Sequence, residues 1–234
     1  ILKHKMAEQD TVAVIVAAGQ GIRMGSKHNK LLLPLGTRTI LEIGLETFIK
    51  HPRIRKIYLT VSSQDRQIFE NMIPEEIVLV EGGSRRQDSV HNALLKIMQD
   101  EQVAELVLVH DGARPFCSEK LIDRIIDAAN EHNAAIPVLP LKDTIRRITE
   151  EKTEVLDRRA LFATQTPQGF RAKVIMDASK KAIENKWLVT DDASLVENIG
   201  DQVSTVEGEP QNIKITTPAD LERANWILKS MSNS

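Results

Sequence analysis

Residues 12–24 read VAVIVAAGQGIRM, and this stretch decides the fold that we expect. Its first five residues are apolar, which is typical of a strand that is covered on both faces of a sheet. Small residues and two glycines follow, and such residues let backbone N–H groups approach phosphate oxygens closely. Because open α/β sheets bind ligands at the carboxyl ends of parallel strands, the stretch predicts an anion-binding loop at that edge of a sheet.

The alternation of strand and helix continues along the rest of the chain. Further strands are predicted at residues 57–61, 77–80, 106–109, 134–138, 203–207 and 213–215. Helices are predicted at residues 40–49, 64–72, 89–98, 118–130, 172–185 and 193–199, and from Pro218 with Thr217 as its N-cap. Strands that are apolar throughout and separated by helices indicate an α/β fold with a mostly parallel sheet.

Residues 141–165 interrupt this pattern. Polar and apolar residues partly alternate over 144–148, a polar turn follows at 149–153, and Val155 and Leu156 lead back. This pattern predicts a protruding β-arm of two strands. Because an isolated hairpin is only marginally stable in water, we expect the arm to pack against a second subunit.

The composition limits the classes of protein to which the chain can belong. Its 234 residues, 41% of them hydrophobic, suffice for one domain, which we place at residues 12–230 after a disordered tail or cloning remnant at 1–11. A formal net charge of -2 predicts that nucleic acid is not a partner. The sequence has no apolar run of membrane-spanning length, so we do not expect a membrane partner. The single cysteine, Cys117, suits a reducing cytoplasm.

The loop at residues 17–24 does not match the commonest phosphate fingerprints. The P-loop ends in Gly-Lys-Ser/Thr, and the dinucleotide fingerprint has three glycines at a different spacing. Glycine spacing alone also leaves open a tight turn with solvated basic residues. The sequence AAGQGIRM does resemble the Ala-Ala-Gly-x-Gly-x-Arg-Met signature of nucleotidyltransferases that join nucleoside triphosphates to sugar or polyol phosphates.

Five further segments sharpen this resemblance. They are GGSRRQDSV at 82–90, VHDGARP at 109–115, KDT at 142–144, Asp157-Arg158 with QTPQ at 165–168, and NIK at 212–214. In this order they resemble the 2-C-methyl-D-erythritol 4-phosphate cytidylyltransferase family. The resemblance implies a three-layer Rossmann-like nucleotidyltransferase fold, and a homodimer in which each arm reaches the other subunit.

The resemblance also implies a reaction. Members of the family condense CTP with 2-C-methyl-D-erythritol 4-phosphate, with Mg²⁺, and release diphosphate and 4-diphosphocytidyl-2-C-methyl-D-erythritol, an isoprenoid precursor of the non-mevalonate pathway. Charge accumulates on the phosphoryl oxygens and the leaving diphosphate, so the reaction requires fixed cations. By family match, the catalytic residues are Arg23, Lys30, Arg158 and Lys214.

Residues that bind CTP follow from the same match. They are Ala17, Ala18, Gly19, Gly21, Gly83, Ser89 and Asp111. Backbone groups of small residues suit the recognition of cytosine, and Ser89 is also a candidate N-cap of the helix predicted after it. Asp111 is expected to bind the ribose or Mg²⁺, whose octahedral shell favours one or two carboxylates with phosphate oxygens, although a turn aspartate is the plainer alternative.

The acceptor phosphate is assigned to residues on and beside the arm. The resemblance implies that Thr144 and Arg158 reach across a dimer interface to this phosphate, and that Lys214 helps to place it near the α-phosphate of CTP. An arginine suits bidentate phosphate binding, while the alternative is a polar arm that faces solvent. We expect His110 to be structural, because the attacking phosphate is already ionised, and Arg86 to brace its loop.

Three other functions remain open at this point. Ribitol 5-phosphate cytidylyltransferase shares the first loop, but Arg158 and residues 88–90 favour the methylerythritol enzyme. A dinucleotide-dependent oxidoreductase would need a third fingerprint glycine and an acidic residue after the second strand, where the chain has Ser62 and Ser63. A non-enzymatic nucleotide-binding module would bind CTP without releasing diphosphate.

Overall fold

The computed structural model describes residues 10–19, 29–100 and 104–232. The helices in these residues are α1 (Ile40–Lys50), α2 (Arg66–Met72), α3 (Arg86–Gln99), α4 (Glu119–His132), α5 (Ala172–Glu184), α6 (Ala193–Asn198) and α7 (Pro218–Ser232). The strands are β1 (Thr11–Val16), β2 (Pro34–Leu35), β3 (Arg38–Thr39), β4 (Ile54–Val61), β5 (Val78–Glu81), β6 (Leu106–Asp111), β7 (Ala134–Pro140), β8 (Arg146–Ile148), β9 (Thr153–Val155), β10 (Phe162–Thr164), β11 (Gln168–Arg171) and β12 (Ser204–Glu207).

Eight of these strands form one central sheet. Its order is β10-β7-β11-β6-β1-β4-β5, and β12 pairs with β7. The pairs of β1 with β4 and β6, of β4 with β5 and of β7 with β12 are parallel, whereas β10 and β11 are antiparallel to their neighbours. The expected mostly parallel sheet is therefore confirmed. The strand β11 was not predicted, because its four residues, QGFR, show neither an apolar run nor a clear alternation.

Alternate residues of β1 pack on opposite faces of the sheet. Ala13 and Ile15 join the core under α1 and α4, while Val12 and Val14 join the core under α3 and α5. All four side chains are buried, and full burial of an aliphatic side chain contributes about 1.5–3 kcal/mol. Helices on both faces of the sheet make the three layers that the sequence predicts.

The register of β1 brings two predicted site segments to the same edge of the sheet. Val16 pairs with Thr60 of β4 on one side and with Asp111 of β6 on the other. The loop that follows β1 and the Asp111 carboxylate at the end of β6 therefore leave the sheet at adjacent positions.

Several predicted boundaries need correction. Residues 213–215 form no strand; the Ile215 N–H donates to the Ala113 carbonyl in an isolated contact rather than a ladder. The strand β1 begins at Thr11, one residue before the expected domain start, and residues 1–9 lie outside the described part of the chain. The predicted N-cap of α7 is confirmed, because Thr217 Oγ1 accepts from the Asp220 N–H at 3.3 Å.

The predicted two-stranded arm is present as a local structure, but it is shorter than the expected residues 141–165, because Phe162–Thr164 form β10 of the central sheet. β8 and β9 pair antiparallel, with Arg146 opposite Val155 and Ile148 opposite Thr153. Its association with a second subunit stays a prediction. Among the residues that the structure describes, no helix has the length and apolar character that crossing a bilayer demands.

Candidate functional site

A cavity of about 320 Å³ opens at the edge of the sheet where β1 and β6 end. It brings together eight of the residues predicted from the sequence: Ala17, Ala18, Gly19, Lys30, Gly83, Ser89, Asp111 and Lys214. Gly21 and Arg23 lie outside the described residues. Thr144 and Arg158 are described, and they do not line this cavity.

The loop between β5 and α3 forms one wall, and its glycines permit close approach. A Cβ atom on Gly82 would lie 2.3 Å from the Ala18 Cβ, and one on Gly83 would lie 2.3 Å from the Asp88 Cβ. The Gly83 N–H donates to Ser89 Oγ at 3.0 Å, and Ser89 Oγ donates to the Arg85 carbonyl at 3.1 Å. The wall is therefore fixed by contacts that a larger residue at either glycine would disrupt.

Ser89 is not the N-cap of α3. The helix begins at Arg86, three residues earlier than predicted, so Ser89 lies within its first turns. The boundary was missed because Arg86 and Gln87 continue a polar stretch and give no apolar periodicity. The hydroxyl of Ser89 braces the glycine loop instead.

Asp111 is the charged centre of the cavity. The residue is only 7% exposed, and its Oδ1 and Oδ2 atoms lie 2.8 Å from Arg86 Nε and 2.6 Å from Lys214 Nζ. Burial by itself raises the pKa of this carboxyl, but the charges of Arg86 and Lys214 outweigh burial and hold the pKa well below its usual range. Asp111 is therefore ionised at neutral pH.

Arg86 is held from its other side by Asp192. Arg86 Nη1 lies 2.8 Å from Asp192 Oδ2, and Asp192 is 1% exposed. Burial raises the pKa of the Asp192 carboxyl, and the charge of Arg86 opposes that rise. The buried Gln168 accepts from the N–H groups of Asp192 and Ala193 and fixes this segment. Arg86 therefore joins Asp111 to the Asp192 segment, so its bracing contacts are with these two carboxylates rather than with its own loop.

His110 lies behind Asp111 in a chain of hydrogen bonds. The Asp111 N–H donates to Thr166 Oγ1, which lies 3.2 Å from His110 Nδ1, and His110 Nε2 lies 3.0 Å from the Arg114 carbonyl. Since a carbonyl only accepts, Nε2 carries the proton and Nδ1 accepts from Thr166. Burial lowers the pKa of His110 to about 4. A buried, neutral imidazole agrees with the structural role expected for it.

Lys214 reaches Asp111 because its segment is tied to β6 and β11. Arg114 Nη1 donates to the Asn212 carbonyl at 2.8 Å, and Asn212 Nδ2 donates to the Thr166 carbonyl at 2.8 Å. Gln165 Nε2 also donates to the Asn212 carbonyl. The conformation of residues 212–214 therefore depends on side chains that are distant in sequence.

Lys30 contacts the same segment. Its Nζ donates to the Ile215 carbonyl at 2.8 Å, one residue beyond Lys214. Lys30 opens a short 3-10 helix (Lys30–Leu32), for which Asn29 Oδ1 accepts from the Leu31 N–H. Two cations that are far apart in sequence thus meet at one backbone segment beside the cavity.

Three residues beside the cavity were not singled out from the sequence. Ser84 and Arg85 line it, and Arg85 forms an ion pair with Asp88 at 2.6 Å. Asn29 is buried next to Lys30. Ser84 and Arg85 belong to the motif at residues 82–90, and Asn29 directly precedes Lys30, but nothing in a one-dimensional pattern separated these residues from their neighbours.

The arm residues stand apart from this cluster. Thr144 and Arg158 are exposed, and Arg158 Nη1 donates to the Lys142 carbonyl. On the hairpin, the apolar side chains of Ile148 and Val155 are 75% and 55% exposed, and Phe162 of β10 is 50% exposed. Apolar groups on a protruding hairpin are typical of a surface that contacts another protein.

Comparisons with known proteins agree with the resemblance seen in the sequence. Residues 11–230 match the family model described as IspD: 2-C-methyl-D-erythritol 4-phosphate cytidylyltransferase. Proteins of that name from Bacillus velezensis and Bacillus cytotoxicus are 43% and 42% identical, over 95% and 92% of this chain and 97% and 96% of theirs.

Solved structures of the same kind share the fold. The 4-diphosphocytidyl-2C-methyl-D-erythritol synthase of Anaerococcus prevotii has a TM-score of 0.82 at 34% identity, over 94% of this chain and 96% of that one. The 2-C-methyl-D-erythritol 4-phosphate cytidylyltransferase of Thermus thermophilus has a TM-score of 0.78 at 34% identity, over 93% and 98%. The fold, the cavity and these similarities together show that the chain belongs to the 2-C-methyl-D-erythritol 4-phosphate cytidylyltransferase family, a family of nucleotidyltransferase enzymes.

Proposed function

We propose that this chain transfers the cytidylyl group of CTP to 2-C-methyl-D-erythritol 4-phosphate and releases diphosphate. The observation that carries the proposal is the meeting of Lys30 and Lys214 beside the ionised Asp111, within a cavity walled by glycine loops. Such a cavity offers backbone donors and fixed cations to a triphosphate. Family membership selects the methylerythritol acceptor over ribitol 5-phosphate.

The nucleotide base and sugar are assigned to the wall that Ala18 and Gly83 share. The carbonyl oxygens of Ala17, Ala18 and Gly83 are assigned to the amino group of cytosine, because a carbonyl oxygen keeps a second lone pair. The Ala17 N–H, the Gly83 N–H and the Ser89 hydroxyl are paired within the protein and hold this wall in shape. Asp111 faces the same cavity and can accept from a ribose hydroxyl, because each carboxylate oxygen keeps lone-pair capacity beside its cation. Gly19 and Gly21 are assigned to the phosphates.

Catalysis in this proposal is positioning and charge stabilisation. Lys30 and Arg23 neutralise the charge that develops on the α-phosphoryl oxygens and on the leaving diphosphate. Lys214 holds the attacking phosphate oxygen in line with the α-phosphorus. His110 takes no part in proton transfer, since it is buried and the attacking oxygen is already ionised. No covalent intermediate on the protein is required.

Mg²⁺ is assigned to the same centre, and the donor set fits it. Among the residues described, no three His, Cys, Asp or Glu side chains cluster as a metal site. A Mg²⁺ ion that serves a nucleotide needs only one or two carboxylates beside phosphate oxygens, and Asp111 supplies one that is ionised and faces the cavity. When bound there, the ion would neutralise phosphate charge and help to orient the triphosphate.

The acceptor phosphate is assigned to Thr144 and Arg158 of the partner subunit. Both side chains are exposed on or beside the arm and lie outside the cavity of their own chain. The apolar surface of Ile148, Val155 and Phe162 supports an arm that packs against a second copy.

The reducing cytoplasm stays the expected location, because the single cysteine, Cys117, is a free and buried thiol.

A substrate panel tests this function. Diphosphate release is measured with CTP, UTP and ATP, each combined with 2-C-methyl-D-erythritol 4-phosphate or ribitol 5-phosphate, with and without a chelator of divalent cations. We expect release with CTP and the methylerythritol phosphate, abolished by the chelator and restored by excess Mg²⁺. Equal or faster turnover with ribitol 5-phosphate would contradict the assigned acceptor.

A further inference from the structure

Asn29 is a buried polar residue next to the cavity that the proposed reaction does not use. It is 2% exposed and precedes Lys30. We propose that Asn29 is the positioning residue that sets the place of Lys30 relative to the nucleotide-binding end of β1. This inference rests on the proposed cytidylyl transfer, because it concerns the cation that the transfer requires.

The carboxamide of Asn29 uses both its donor and its acceptor groups. Nδ2 donates to the Ala17 carbonyl at 2.7 Å and to Asp65 Oδ2 at 3.2 Å, and Oδ1 accepts from the Leu31 N–H at 3.1 Å. Rotating the amide by half a turn would set its oxygen against two acceptors, so only one orientation satisfies all the groups. The side chain is therefore locked.

The first of these contacts fixes the chain that leaves β1. The Ala17 N–H donates to the Thr60 carbonyl at 2.9 Å, while the Ala17 carbonyl accepts from Asn29. Asp65 is itself held by Ser62 Oγ at 2.8 Å, beside the end of β4. Asn29 thus connects the Ala17 backbone, which lines the cavity, to Asp65 and the end of β4.

The other contact fixes Lys30. Its 3-10 helix has only three residues, closed by hydrogen bonds from Leu32 N–H to the Asn29 carbonyl and from Leu33 N–H to the Lys30 carbonyl. A helix this short has little stability of its own, so its orientation depends on the cap that Asn29 provides. Because catalytic geometry tolerates little displacement, a shift of about 1 Å in Lys30 would cost about a hundredfold in rate.

Replacing Asn29 with aspartate isolates the donor function. Asn29→Asp keeps the size and the acceptor, but it sets a carboxylate oxygen against the Ala17 carbonyl and the Asp65 carboxylate. We expect kcat to fall by about tenfold or more and the KM for CTP to rise, because buried acceptors lose their donor. Asn185→Asp is the matched control: Asn185 Nδ2 donates to the exposed Lys181 carbonyl at 2.8 Å, and turnover should not change.

A double-mutant cycle separates positioning from general stability. If Asn29 acts through Lys30, Asn29→Asp should reduce kcat by less than about threefold in a Lys30→Ala background. Equal losses in both backgrounds would overturn the proposal. If Asn29→Asp is too unstable for assay, Asp65→Ala removes one of the two acceptors of Nδ2, and we expect a smaller loss with the same dependence on Lys30.

A third measurement does not depend on turnover. Hydrogen exchange at the Leu32 and Leu33 amides should be about tenfold faster or more in Asn29→Asp than in wild type, because repulsion from the Ala17 carbonyl and the Asp65 carboxylate displaces the side chain that caps the 3-10 helix. Exchange should be unchanged in Asn185→Asp. Unchanged exchange in Asn29→Asp overturns the positioning role. Faster exchange in a protein that releases no diphosphate with any acceptor supports the role of Asn29 and refutes the proposed function, so the two failures are distinguishable.

Discussion

The cavity and the arm carry predicted site residues of the same chemical type in opposite environments. Lys30, Lys214 and Arg86 are anchored by partners that are far away in sequence, around a nearly buried carboxylate. The Arg158 side chain is exposed and donates to the Lys142 carbonyl, outside the cavity. The comparison teaches that the cavity half of the site is organised within a single chain, whereas the acceptor half, as we propose it, needs the arm of a second chain.

The largest expected effect comes from removing the cation at Lys30, beside the cavity. Lys30→Ala should lower kcat by about 10²–10³-fold, because one electrostatic contact to the developing charge is lost. The melting temperature should stay close to that of wild type, since Lys30 is only partly buried. Steady-state diphosphate release measures the change, and Lys173→Ala, at an exposed lysine on α5, is the control. Near-normal turnover of Lys30→Ala would refute the role.

The second prediction tests whether the two halves belong to different chains. Arg158→Ala and Lys30→Ala should each be nearly inactive alone. In an equal mixture, half of the dimers are hybrids with one intact site, so activity should return to about a quarter of wild type. Native mass spectrometry verifies subunit exchange. If exchange is complete and activity does not return, the site is not shared.

The third prediction concerns the buried His110 behind the cavity and its effect on the pH dependence of stability. The pKa of His110 is lowered from 6.5 to about 4 by burial, so below pH 6.5 the unfolded chain binds a proton that the folded chain refuses. Stability should therefore fall as the pH drops from 6.5 towards 4, by at most about 3 kcal/mol from this group.

Denaturant unfolding across this pH range measures the slope, and ring NMR signals of His110 give its pKa directly. His110→Gln, whose amide does not titrate, should show a flatter dependence than wild type. A His110 ring that protonates near pH 6.5 in the folded protein would contradict the neutral, buried assignment.

The smallest expected effect on folding lies in the arm. Ile148→Asp should change the unfolding free energy of the monomer by less than about 0.5 kcal/mol, because the side chain is 75% exposed. It should nevertheless shift a dimer towards monomer in analytical ultracentrifugation. Leu188→Asp, at another side chain that is 75% exposed, is the control and should leave the association unchanged. A monomeric wild type would exclude the shared site.

Local patterns predicted much of the fold correctly. The apolar run at β1 predicted a strand covered on both faces, and the interrupted alternation at residues 144–156 predicted the hairpin of β8 and β9. The predicted boundaries of helices and strands were wrong where the local sequence signal was weak. The helix α3 begins three residues before its predicted start, in a polar stretch. Residues 213–215 have the sequence of a strand, but Ile215 makes an isolated backbone hydrogen bond to Ala113 instead of a ladder.

The sequence by itself determined the class of the protein, because its motifs list the residues that a cytidylyltransferase needs in the order that the family has them. Only the tertiary structure decided that Asp111 is a nearly buried, ionised carboxylate, since Arg86 and Lys214 lie far from it in the chain and hold its pKa low through space. The buried Asp192 holds Arg86 from the other side. It also revealed Asn29 as a link between Ala17 and Lys30. The physical reason is that motifs record which groups are present, whereas burial and charge depend on which groups meet.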